Sequence, residues 1–258
     1  MRKFQSFPCR AVGYLDADNP EIYRDITCVV NFAFSPYLYK ERYTEIHDID
    51  LRIARHAVDR GIHYVMLSSR KVYQSAIQWG AQEDLHVTGR DAYGINKICV
   101  ESKLMALLGN RLTILRPGNI VGYELVRDRT SFGSYLLQRL ATSGGIRLTI
   151  NPRVRRNILS VESFCEILAV VVVRRPVGIF NVGSTEAVEV GRVASWIIDG
   201  FGSGNLVCEG DQVDDEFHLN VGRLTSTIGL KYDATVLEDY AKSLGRRLKI
   251  DIEQRVEF

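Results

Sequence analysis

The sequence predicts an α/β protein built on a parallel sheet, and three observations carry that reading. The continuous β-branched and aromatic run ITCVVNFAF (26–34) is that of a strand buried on both faces of a parallel sheet, with HYVMLSS (63–69) a second, short apolar strand and LTILRP (112–117) a third. The segments between them carry apolar residues at helical spacing. Strand and helix alternate through short links, the pattern of βαβ units with right-handed crossovers.

The elements follow in order. Residues 26–34 form the first strand. A helix is expected over 44–60, with Thr44 as N-cap, Gly61 as stop and Ile46, Ile49, Ile53, Ala57 and Val58 on its apolar stripe. The strand at 63–69 leads to a helix at about 91–108 that ends at Gly109, and then to the strand at 112–117. Beyond about residue 123 the rhythm loosens. A helix (131–142), a Gly-Gly break, a strand near 146–150, a helix (161–173), the strand GIFNVG (178–183), a helix (189–199) and a last helix in VLEDYAKSLGRRL complete the chain. Residues 1–122 thus read as a parallel-sheet domain with further core elements interleaved from about 150–183, and 123–258 as a smaller α+β part.

Composition narrows the function. The 258 residues are 46% hydrophobic and 25% charged, and 33 Lys+Arg against 31 Asp+Glu leave a net charge of +2. A surface built to coat nucleic acid is therefore not expected. Five scattered cysteines without a CxxC, and five histidines without HxxxH, predict reduced thiols and no metal centre. The N-terminal FQSFPCRAVGYLD lacks the apolar core of a signal peptide, and the longest apolar run, ILAVVVV (167–173), falls far below a membrane span. The expected location is the cytoplasm.

The chemistry-bearing stretch is AYGINK (92–97). On a helix, Tyr93 and Lys97 lie one turn apart on one face. A phenol titrates near pH 10, and an ammonium beside it is expected to favour the phenolate and lower that pKa, so the pair suits proton exchange with a hydroxyl or carbonyl. Alone, the spacing is equally that of a half-buried Tyr beside a solvated Lys. Its company matters more: Ser69 ends the strand HYVMLSS, which puts a second hydroxyl at the carboxyl edge of the sheet, where ligands of such folds bind.

With these residues in place, the chain resembles the extended short-chain dehydrogenase/reductase family of nucleotide-sugar epimerases, dehydratases and reductases. The stretches VVNFAF (29–34), SSRKVYQ (68–74), AQED (81–84), AYGINK, LRPGNIVG (115–122), RRNILSVESF (155–164), FNVGS (180–184) and TSTIGLKY (225–232) fall in the family's order. The resemblance implies a Rossmann-like sheet with a small C-terminal α+β substrate-binding part, an NAD or NADP cofactor, a nucleotide-diphosphate sugar as substrate and a cytoplasmic enzyme. Ser69, Tyr93 and Lys97 would be catalytic: Tyr93 as acid/base, Lys97 holding the nicotinamide ribose, Ser69 bonding the substrate oxygen. Phe32, Ala33, Ser68, Tyr93, Lys97 and Pro117 would contact the cofactor, and Ser69, Asn119 and Arg156 the substrate. For Arg156 the partner is the diphosphate, which a guanidinium fork fits in two places, although RVRR (153–156) also reads as a solvated basic turn. The family's 4,6-dehydratases carry an acidic pair just after the catalytic hydroxyl, whereas Arg70 and Lys71 stand here, which favours epimerase or 4-ketoreductase chemistry.

The cofactor half departs from the pattern. A dinucleotide fold opens with a strand and a glycine-rich turn that admits a pyrophosphate to a helix N-terminus. The 25 residues before Ile26 are too few for the two strand–helix units and third strand that the resemblance implies there; CRAVGYLD (9–16), with its acidic end, fits that third strand, so the sheet is expected to lack its first two strands and the glycine-rich loop. DGFGSGN (199–205) follows a helix, and reads as a helix stop and loop. Pro36 suggests an altered loop after the 26–34 strand. That strand, short of a neighbour, is expected to be covered by the N-terminal segment or paired in a homo-oligomer. The alternative to the enzyme is an inactive or truncated relative that binds a sugar nucleotide or serves assembly.

Overall fold

The structure is a computed structural model describing residues 8–125, 131–213 and 215–256. Its strands in chain order are β1 (Cys28–Asn31), β2 (His63–Leu67), β3 (Trp79–Ala81), β4 (Leu112–Pro117), β5 (Asn119–Val121), β6 (Gly145–Leu148), β7 (Arg155–Arg156), β8 (Ile158–Ser160), β9 (Gly178–Val182), β10 (Val188–Glu189), β11 (Asn205–Cys208) and β12 (His218–Leu219). The helices are α1 (Ile49–Asp59), α2 (Ala92–Leu108), α3 (Phe132–Ser143), α4 (Val161–Arg174), α5 (Val190–Phe201), α6 (Gly222–Ile228) and α7 (Ala234–Val256). The chain divides into two compact units: residues 1–117, 165–182 and 219–230, and residues 118–164, 183–218 and 231–258.

The first unit is the α/β body. Its sheet runs β1-β2-β4-β9, all parallel, with Cys28 opposite His63, Tyr64 opposite Leu112 and Thr113 opposite Gly178. Tyr64, Met66, Leu112 and Ile114 from the sheet meet Ile53, Ala54, Ala57, Val100 and Leu104 from α1 and α2 in one core. Burying each of the larger of these side chains contributes about 1.5–3 kcal/mol. Helix α2 has both ends marked in the sequence: Asp91 accepts a bond from the Gly94 N–H, and Gly109, at φ +54°, closes it.

Two expectations are corrected here. CRAVGYLD is not a strand: residues 9–13 have no regular structure and Tyr14–Asp16 form a 3-10 turn. The segment anchors on α1 instead, where Tyr23 stacks on His56 (centroids 5.0 Å apart) and the Arg52 guanidinium donates to the Tyr14 carbonyl. The Tyr23 hydroxyl turns back to the Ala17 carbonyl at 2.6 Å, a local bond that a strand would forgo. Likewise α1 begins five residues later than expected. Asp48 caps it through the Leu51 N–H, whereas the Thr44 side chain caps nothing, and Ile46, in the preceding turn, is 86% exposed. A carboxylate is the better acceptor at a positive helix end.

A buried histidine on β2 makes the first unit acid-sensitive. His63 lies against Thr113, Nε2 to Oγ1 2.8 Å, and burial, aided by Arg175, pulls its pKa down to about 4. In the unfolded chain the ring titrates near pH 6.5. The folded pKa is the lower one, so this stability is complete above pH 6.5 and is lost as the pH falls towards 4. The loss is about 1–2 kcal/mol once partial solvent screening is allowed for. Urea unfolding at pH 7 and 4.5 should show a smaller drop in His63→Gln than in the parent; equal drops would contradict this.

The second unit packs α3, α5 and α7 around Leu136, Leu137, Ile146, Trp196, Ile197, Leu237, Leu244 and Leu248. Its pairings are short: β5 with β8 and β6 with β11, both parallel, and β7 with β10, antiparallel. DGFGSGN behaves as a helix stop, with Gly202 in the left-handed conformation just past α5.

Candidate active site

Ser69, Tyr93 and Lys97 come together in the first unit. Ser69 sits two residues past β2 in extended backbone and caps the short turn Arg70–Val72, its Oγ accepting from the Lys71 N–H at 3.2 Å. Tyr93 is the second residue of α2, and the Ser69 side chain is near enough to its phenol to pull the phenol's pKa down. Lys97, one turn on, is 3% exposed and donates from Nζ to the Leu67 carbonyl at 2.7 Å.

What brings the turn onto the helix is Gly94. A Cβ there would stand 2.1 Å from the Lys71 carbonyl oxygen, a contact that no side chain tolerates. Lys71 in turn pairs with Asp91 at 2.6 Å, and the Arg90 N–H donates to the Lys71 carbonyl. YGINK and SSRKVY are thus one local structure, with the glycine at the point of contact.

Beneath it runs a buried polar network. The Glu101 carboxylate takes two bonds from Arg116, Nε to Oε1 3.0 Å and Nη2 to Oε2 2.6 Å, and a further one from the Ser68 hydroxyl. Arg116 also donates to the Tyr73 hydroxyl, which donates to Asn181 on β9. Both charged partners are about 2% exposed. A second buried carboxylate, Asp50, accepts from Asn31 at 2.8 Å and Tyr64 at 2.9 Å.

The electrostatics differ from the sequence expectation. The Tyr93 pKa is raised, not lowered: burial is the main cause, Tyr39, Asp50 and Asp91 add to it, and the Ser69 side chain opposes it. Lys97 is itself pushed down by burial, against the pull of Asp50, Glu101 and Asp48. Its ammonium points at the Leu67 carbonyl and lies 4.0 Å from the centre of the Phe34 ring, against 5.8 Å for the Tyr93 ring. Phe34 and Tyr39 were not singled out as site residues; the aromatic run FAFSPYLY after β1 is the signal for them.

The other cofactor candidates are placed unevenly. Phe32 is 64% exposed. Ala33 exchanges both backbone bonds with the Asn31 side chain, Ser68 is held by Glu101, and Pro117 is half-buried at the end of β4. The reactive end fits a nicotinamide ribose better: Lys97 is a buried cation with three donors, and among the described residues it makes one hydrogen bond. No described strand leads through a glycine-rich turn into a helix.

Asn119 and Arg156 lie in the second unit, on one cavity of about 540 Å³ that Phe132, Tyr135 and Asp215 also line. The RVRR stretch splits: Arg153 and Arg155 are exposed, while Arg156 is 9% exposed, stands 5.8 Å over the Phe132 ring, and is held by the Asp215 carbonyl (3.0 Å) and carboxylate (3.6 Å).

No protein-family model matches the chain, and no curated protein sequence is similar to it. Solved structures are. A UDP-N-acetylglucosamine 4-epimerase from Methanobrevibacter ruminantium M1, in complex with UDP-N-acetylmuramic acid, superposes with a TM-score of 0.76 at 16% identity, over 93% of this chain and 81% of its own. The RMD protein of Pseudomonas aeruginosa, complexed with NADPH, gives 0.73 at 17% identity over 95% and 89%. A UDP-N-acetylglucosamine 4-epimerase from Bacillus cereus gives 0.72 at 18% identity over 95% and 89%. With its parallel β1-β2-β4-β9 sheet, this chain has the fold of the extended short-chain dehydrogenases/reductases.

Proposed function

We propose that this chain is a nucleotide-sugar epimerase or 4-ketoreductase that works with NAD or NADP through Ser69, Tyr93 and Lys97. The observation that supports this most is the convergence of the three residues: a hydroxyl beside a phenol, and a buried ammonium one helical turn on, 5.8 Å from the phenol's ring centre. The ligands of the solved neighbours agree, since they include NADPH, NAD, UDP-glucose and UDP-N-acetylmuramic acid.

A bound nicotinamide supplies the acceptor and donor of hydride. Lys97 would hold its ribose. Tyr93 gives a proton to, or takes one from, the substrate oxygen, and the Ser69 hydroxyl bonds the same oxygen to orient it. Arg156 suits the diphosphate, as a guanidinium already fixed in direction by Asp215. Arg70 and Lys71 give no acidic pair for a 4,6-elimination: Arg70 donates to Gln78 and Lys71 pairs with Asp91.

One observation favours a second reading. The Phe34 ring against Lys97 and the Tyr39 ring against Tyr93 fill space beside the reactive groups, as suits a relative that binds a sugar nucleotide without turnover. The experiment is to incubate the chain with UDP-hexoses and NAD⁺, and with UDP-4-keto-hexoses and NADH or NADPH, and to resolve the products. Epimerised or reduced sugar supports the enzyme; UDP-hexose binding without turnover supports the second reading.

A further inference from the structure

Three rings meet beside the phenol of Tyr93. Tyr39 lies parallel to it, with centroids 4.9 Å apart and planes 6° apart, while Phe34 sets its edge against both, 5.1 Å from Tyr93 and 5.2 Å from Tyr39. Stacked and edge contacts of this kind favour one mutual orientation of the rings. Tyr39 belongs to the short turn Tyr37–Tyr39, which is fastened to α2: Asn96 Nδ2 donates to the Leu38 carbonyl at 2.8 Å and the Glu41 carbonyl at 2.7 Å, and Leu38 is 1% exposed. The latch residue immediately precedes Lys97.

We propose that Tyr39 is a positioning residue for Tyr93, clamped over one face of its ring by the Asn96 latch so that the phenol keeps one orientation and is shielded from water. The proposal deepens the reading of Tyr93 as the acid/base and rests on it. Four elements supply the groups that face Tyr93. The loop after β1 brings Tyr39; the turn after β2 brings the Ser69 hydroxyl and the Lys71 ammonium, 5.9 Å from the ring centre; α1 brings Asp50; and α2 and its cap bring Lys97, 5.8 Å from the ring centre, and Asp91. The two ammonium groups have competing partners, Asp91 for Lys71 and the Leu67 carbonyl for Lys97. Shielding and the neighbouring acids therefore prevail, and the proton stays on the phenol at neutral pH.

The test uses tyrosinate absorbance of the whole chain against pH, with circular dichroism confirming the fold at each point. The chain has twelve tyrosines, so Tyr93 is read as the difference between the parent and Tyr93→Phe. Tyr39→Ala, with its own Tyr93→Phe control, should move that midpoint down by about one unit, and Asn96→Ala should follow it. Tyr39→Phe keeps the ring and loses only the hydroxyl, so it should fold and show a smaller downward move. An unchanged midpoint in folded Tyr39→Ala, or in Tyr39→Phe if the alanine variant does not fold, overturns the proposal. The titration needs no substrate, so its failure is distinct from a failure of turnover.

Discussion

Glu101→Leu should cost the first unit about 3–5 kcal/mol, the largest stability loss expected of any single change near the site. The carboxylate is the sole ion-pair partner of Arg116 among the described residues, and a guanidinium 2% exposed to solvent cannot shed its proton to escape. The variant would leave a buried charge, together with a Ser68 hydroxyl that has lost its acceptor. The check is urea unfolding of three proteins. Glu101→Leu should fall far below the parent, while Glu101→Leu combined with Arg116→Met should recover most of the loss, because the buried charge has gone with its partner. A double variant no more stable than the single one would contradict this account of the network.

Tyr93→Phe should lower turnover of the cognate nucleotide sugar by about 10²–10⁴-fold, the range for removing a positioned acid/base. The ring stays, so the contacts with Phe34 and Tyr39 persist and the melting temperature should hardly move. If the variant turns over within a factor of about three of the parent, Tyr93 is not the proton carrier.

Much of the fold was legible because local and tertiary signals agreed. β4 was read at Leu112–Pro117 from its place in the strand–helix alternation, and α2 from its stop at Gly109. Where two signals competed, the reading slipped. Thr44 and Asp48 both suit an N-cap, and the choice was made by Asp48 Oδ1 meeting the Leu51 N–H while Tyr43 binds Oδ2, which no periodicity shows. CRAVGYLD looked like a strand, but Tyr23 and Arg52 tie its neighbourhood to α1.

Tyr93 and Lys97 were read from spacing, since one helical turn puts them on one face whatever surrounds them, and Ser69 from its place at the end of a strand, while their roles came from the resemblance. Their charges were not legible this way. The sign of the Tyr93 shift is set first by burial, to which Tyr39, from the loop before α1, and Asp50, from its start, add, neither near Tyr93 in sequence. The Glu101–Arg116 pair was half visible: Glu101 continues the Tyr93, Lys97 row one turn on, but nothing in the sequence announced that Arg116 on β4 reaches it.

The central claim is that Tyr93 and Lys97 serve a nicotinamide nucleotide. Its most direct test is a calorimetric titration of the folded chain with NADH and NADPH, repeated on Lys97→Met. The account predicts micromolar binding of at least one of them and a loss of about tenfold or more in Lys97→Met, as removal of a charged hydrogen-bond donor implies. Folded parent protein that binds neither nucleotide would contradict it.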